Sequence, residues 1–219
     1  MFLKSFNFRG KRFLINIMNY KIIFGFLSTI LAVLSFLPYL KDIFAQKTKP
    51  HIYSWLIWSI LQTTGVLAMI AGHAGWGALG LGVGSFFCIF IFFISFKYGT
   101  KDITTSDTIC LVGTICAILV WVFLKDPLFS VILVTIIDFA GFIPTYRKSY
   151  VNPQSETISL YALSAVSNLL NFLAIGNYSV TTALYVTSLV ITNAVCVFIL
   201  VARRRIIAKF NDMRKYKFN

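Results

Sequence analysis

Seven long apolar stretches, interrupted by a single charge, constrain this chain more than any other feature: Ile22–Leu40, Ile52–Ala71, Ala78–Phe96, Thr108–Leu124, Leu128–Tyr146, Ile158–Gly176 and Thr181–Ala202. A bilayer core takes about 20 mostly apolar helical residues to cross, and each stretch comes close to that length. Barrel strands would alternate polar and apolar residues over about ten positions; the run between Ser85 and Ser95 is apolar throughout. Composition agrees. The chain is 58% hydrophobic and only 12% charged, where soluble domains carry about 25% charged residues. The expected fold is therefore an all-α integral membrane protein with seven transmembrane helices. Pro127 suits the first turn of the fifth, where its missing N–H costs no hydrogen bond.

The net charge of +13 could suggest a nucleic-acid partner. The basic residues instead gather in the connections and at the termini, where they report topology, and no nucleic acid is expected. On one side of the predicted bundle lie Lys41, Lys47, Lys49, Lys97, Lys101, Arg147, Lys148 and the basic residues from Arg203 to Lys217. On the other lie only Lys4, Arg9, Lys11, Arg12, Lys21 and Lys125. The positive-inside rule puts the C-terminus in the cytoplasm and the N-terminus outside. A bacterial inner membrane is the expected location, with lipid headgroups as partners of the basic tail. Met18 offers an alternative start that would remove Lys4, Arg9, Lys11 and Arg12. Pairing with another copy is left open.

Self-similarity organises the chain further. Phe36–Trp55 resembles Phe142–Tyr161: Pro38 aligns with Pro144, Lys41 with Arg147, Phe44 with Tyr150 and Ile52 with Ile158, all at an offset of 106. The copies begin in spans one and five, which run in the same direction. That makes a parallel repeat with span four left over, a 3+1+3 layout. The expected organisation is a basic N-terminal tail (1–21), a first three-helix repeat (22–99), a linker helix (100–125), a second repeat (126–202) and a basic cytoplasmic tail (203–219). Parallel repeats are a transporter architecture whose substrate site lies between the halves.

Polar residues inside the spans are the site candidates. Asp138 is the one acidic residue deep within a span; a carboxylate there is costly and usually faces the bundle interior or a hydrated cavity. It is a candidate for coupling or substrate contact, against the alternative of a helix-to-helix hydrogen bond. Asn168 and Asn171 share a face of span six, and Asn193 stands in span seven. With Trp58 or Tyr161 offering a flat face, these amides could hold a small polar solute; interhelical bonding is the other reading. Gln62, Thr63 and Thr64 form a further group. Pro38 and Pro144 each release the carbonyl four residues earlier and permit a bend, so they are hinge candidates. Gly80 and Gly84 form a close-packing face.

The cysteines Cys88, Cys110, Cys116 and Cys196 all fall within spans and read as packing residues. No HExxH, CxxC or GxSxG occurs, and neither an enzyme nor a cofactor nor a metal is expected.

The layout and the paired segments around Pro38 and Pro144 resemble the SWEET and PQ-loop superfamily over residues 22–202. The chain would be a divergent, bacterial-type member, since Tyr39 and Thr145 stand where the family's Pro-Gln dipeptides have glutamine. The resemblance implies two three-helix bundles rocking about a pore. It also places Asn193 at a position like the pocket asparagine of sugar facilitators, with its counterpart near Cys88. The function expected is alternating-access transport of a small polar solute, sugar or amino-acid-like, with proton coupling as an option. A non-transporting assembly factor, chaperone or receptor on the same fold is the alternative.

Overall fold

The computed structural model describes residues 2–50, 52–99, 105–124 and 127–217. Side chains are described from Tyr20 to Lys209, apart from positions in the fourth helix and Ile143, Pro144, Arg147, Lys148 and Ser155. The side chains of Pro144, Cys110 and the tail residues Lys4, Arg9, Lys11, Arg12, Arg214, Lys215 and Lys217 therefore lie outside the described residues, as do Lys101 and Lys125.

The described residues form α1 (Phe2–Phe44), α2 (Ile52–Ala71), α3 (Leu79–Tyr98), α4 (Thr105–Leu124), α5 (Pro127–Val151), α6 (Ile158–Leu173) and α7 (Val180–Lys217), with short 3-10 turns at Gly75–Ala78 and Pro153–Ser155. Pro127 opens α5, as a residue lacking an N–H can. Between α2 and α3 the chain turns through His73 and Gly75 at φ near +60°, a region open to glycine without steric cost.

Two helices are longer than the apolar pattern predicts. The segment 1–21, read from sequence as a separate tail, continues α1 from Phe2, and 203–219 continues α7 to Lys217. Charge ends the apolar stretch but not the helix, because Lys and Arg are good helix formers. At about 1.5 Å per residue α1 spans roughly 65 Å, twice a bilayer core of about 30 Å.

Four helical segments among the described residues are long and apolar enough to cross a membrane: Tyr20–Phe44, Ile52–Ala71, Gly75–Tyr98 and Val180–Lys209. Shorter apolar helices occupy Pro127–Phe142 and Ile158–Leu173. Large apolar side chains cover the exterior, among them Phe86, Phe93, Phe123 and Phe198. A surface of that kind fits a lipid surrounding. The chain has the features of a membrane-embedded, all-helical protein.

Packing follows a pattern that repeats. Helix α3 packs on both α1 and α2, and α7 packs on both α5 and α6. Contacts of α1 with α6 and of α2 with α5 join these two groups, and α4 lies against α5 and α2. The cores repeat as well. One cluster holds Phe36, Trp55, Cys88 and Ile91; another holds Phe142, Tyr161, Cys196 and Leu200. Phe36 and Phe142, like Trp55 and Tyr161, are 106 residues apart. A third cluster, with Leu61, Met69, Val131, Val134, Tyr185 and Val186, fills the space between the groups.

Candidate functional site

A cavity of about 290 Å³ lies where the two groups of helices face each other. Its mouth is formed by Thr48 and Lys49 from the connection after α1 and by Glu156 and Thr157 from the connection before α6. From there it runs inward to Gly80, Leu81, Asn168 and Asp138.

The opposite end is closed by direct contact. Gly176 N–H donates to the Ala74 carbonyl at 2.7 Å, and Lys21 Nζ donates to the Gly176 carbonyl at 3.1 Å. Gly77 lies so close to α6 that a Cβ there would sit 2.9 Å from the Asn171 carbonyl oxygen and from Ile175 Cα. Ala74, Ala174 and Ile175 are fully buried. The site is a vestibule with access from one end.

Both halves build the wall from equivalent positions. At the offset of 106, Ala32 corresponds to Asp138, Phe36 to Phe142, Tyr39 to Thr145, Trp55 to Tyr161 and Gln62 to Asn168, and every one of these residues lines the cavity. In the third helix of each half the offset is 105: Cys88 corresponds to Asn193, and both line it. This correspondence centres the cavity on the relation between the two halves.

Of the sequence candidates, Trp58, Asn168, Asn193 and Asp138 meet in the cavity. Asn171 does not join them. It is buried behind the wall, where its Nδ2 reaches Asn168 Oδ1 at 3.4 Å and its side chain packs on Gly80, whose added Cβ would lie 2.5 Å from Asn171 Oδ1. The i, i+3 spacing that put both asparagines on one face is correct, but the inner turn of α6 leans on α3. Pro38 lies within α1 and Pro144 within the helical span of α5. Pro38 is not among the lining residues, while Phe36, Tyr39, Phe142 and Thr145, close to the two prolines in sequence, are. In the second group Gln62 lines the cavity and donates to Cys88 Sγ at 3.1 Å. Thr63 bonds Ser85 at 2.7 Å and faces an outer groove with Thr64.

An aromatic belt was not read as a site from sequence. Ring centroids link Tyr39 to Trp55 at 5.2 Å, Trp55 to Trp58 at 5.3 Å and Trp58 to Phe142 at 6.3 Å, with Phe36 packed on Trp55 at 6.4 Å. The offset alone could have found it, because Phe36/Phe142 and Trp55/Tyr161 recur in the paired segments.

Several polar groups of the wall donate to neighbouring groups of the protein. Ser35 Oγ donates to the Ala32 carbonyl at 2.7 Å and Ser167 Oγ to the Ser28 carbonyl at 2.8 Å. Asn168 Nδ2 donates to the Ser164 carbonyl at 2.9 Å, Asn193 Nδ2 to the Leu189 carbonyl at 2.8 Å, and Tyr161 Oη to Glu156 Oε2 at 2.9 Å. Asp138 is 1% exposed, and its Oδ2 has no hydrogen-bond partner among the described residues. A buried carboxylate oxygen left in this way is expensive, and burials of this kind mark functional sites within membranes. Among the described residues no three His, Cys, Asp or Glu side chains gather as a metal site would need.

Compared with known proteins, the chain matches no family model, no curated sequence and no solved structure.

Proposed function

We propose that this chain is a seven-span membrane transporter that moves a small polar solute by alternating access between two three-helix bundles, α1–α3 and α5–α7, with α4 as linker. The carrying observation is the vestibule itself, walled by equivalent residues from both halves, reached from one end and closed at the other. Alternating access requires two related bundles around a site that opens to one side at a time. The pairing of α1 with α6 and of α2 with α5 supplies interfaces along which the bundles could rock. Pro38 and Pro144 are suited to hinging because each sits next to wall residues. On the charge distribution read from the sequence, the open mouth would face the cytoplasm. The SWEET and PQ-loop resemblance supports the same architecture, and Asp138 is the candidate coupling residue.

The test is counterflow in proteoliposomes, with a labelled panel of small sugars, amino acids and amines. Saturable exchange of at least one solute is expected, reduced at least tenfold by Asn193→Trp, which fills the cavity without touching the closed end. If no member of the panel exchanges while the protein remains folded, the transporter reading fails and a non-transporting membrane component takes its place.

A further inference from the structure

We propose that the vestibule is a site for a small organic ammonium ion, bound with its charge near Asp138 and its alkyl groups against the aromatic belt. This rests on the cavity being the solute site of the proposed transporter, and it names the class of solute.

The inference comes from what the wall offers a ligand. Hydroxyl donors of Ser35 and Ser167 are committed to backbone carbonyls, so both oxygens keep only acceptor capacity. Asn168 and Asn193 each commit a donor internally as well. Each amide nitrogen keeps a second N–H, so hydrogen bonding alone does not choose between a neutral and a charged solute; the carboxylate and the aromatic faces do. At the inner part of the wall lies a carboxylate with one oxygen unpartnered among the described residues. Asp138 has no counter-ion in the wall: among the described lining residues the one cation is Lys49, an exposed residue at the mouth. An anionic solute would meet uncompensated repulsion there, while a cation would satisfy a buried charge.

The aromatic residues complete the match. The belt of Tyr39, Trp55, Trp58 and Phe142 stands in the same wall as Asp138. Aromatic faces attract alkylated ammonium ions, and the attraction grows when water is excluded. Amino acids fit less well, because their carboxylate would have to be buried beside Asp138 with no inner Lys or Arg among the described lining residues to receive it.

The probe is choline, compared with its neutral isostere 3,3-dimethylbutan-1-ol, against the full chain in nanodiscs. Trp55 and Trp58 make intrinsic fluorescence a reporter from inside the cavity. Choline is expected to shift the emission saturably, at least tenfold more tightly than the isostere. Asp138→Asn should weaken choline at least tenfold while leaving the isostere unchanged, and Asp138→Glu should retain most of the affinity. Equal binding of choline and isostere to the wild-type chain, or no saturable response to choline, overturns the inference; that comparison requires no variant to fold. Saturable choline binding with no flux in vesicles keeps the ammonium site and overturns the transporter reading. Flux of a neutral solute that choline does not inhibit does the reverse.

Discussion

At the scale of single residues, two kinds of position decide what this protein can do. Asp138 is one: in the first half its equivalent is Ala32, so the two walls, built from equivalent positions, differ here by a buried carboxylate. The sequence exposes Asp138 plainly, because a lone acid in an apolar span has few innocent explanations. It does not expose the second kind, glycines whose role is proximity. Gly77 reads as one of several glycines around the start of α3, yet an added Cβ would lie 2.9 Å from the backbone of both Asn171 and Ile175. Backbone cannot swing aside as a side-chain tip can. Gly77→Ala should therefore destabilise the chain by about 1–3 kcal/mol, read as a lower midpoint of thermal unfolding in detergent. Gly82, with nothing within 4 Å of an added Cβ, should accept Ala with little change, and equal effects at the two positions would disprove the proximity argument.

Among the elements, the extension of α7 past the apolar stretch has a structural consequence at the cavity mouth. Arg204 bridges two carbonyls of the connection before α6: its Nη2 donates to Pro153 O at 2.8 Å and to Glu156 O at 2.7 Å, and its Nε to Pro153 O at 3.0 Å. Beside it, the Arg203 guanidinium lies 4.1 Å from the centre of the Tyr150 ring. The end of α7 thus holds the loop that supplies Glu156 and Thr157 to the mouth. Arg204→Ala should loosen residues 152–157 by about 1.5–3 kcal/mol, measured as faster amide exchange there with exchange in α2 unchanged. Arg204→Lys should recover little of it, because an ammonium lacks the planar fork that spans two acceptors. Unaltered exchange in the Arg204→Ala variant would show that the connection holds its own shape. From sequence, the Arg203–Arg205 cluster reads as a lipid anchor and a marker of orientation. Charge counting cannot see that a guanidinium has backbone carbonyls within reach; that depends on how far the helix runs on, and nothing in an apolar pattern marks its end.

Taken as a whole, the molecule is organised by its internal likeness more than by any motif. The offset of 106, legible in the segments around Pro38 and Pro144, carries through to helix pairing, to two of the core clusters and to the cavity wall. What the offset could not supply was which copy of each position matters. Asn171, attractive as an amide, occupies the place of Gly65 and is a packing residue behind the wall; Gly65 in turn lies against the Tyr185 ring. Each contact joins a second helix of one half to a third helix of the other, with the large and small partners exchanged. That exchange is a matter of shape between helices distant in sequence, and it leaves no trace in spacing. The wall gives the sharpest test of equivalence between the halves. Ala32 and Asp138 both line the cavity, on α1 and α5, so a carboxylate moved from one to the other would stay in the same volume but against the opposite side. Asp138→Ala should lose choline binding at least tenfold. Adding Ala32→Asp should restore at least a third of the lost affinity, by the same fluorescence titration, since an ion attracted mainly by charge and aromatic faces tolerates a shifted counter-ion better than a solute held by directed hydrogen bonds. No recovery in a folded double variant would mean that the two walls share a layout without sharing a function, and that Asp138 acts through its own neighbours on α7 rather than through the cavity common to both halves.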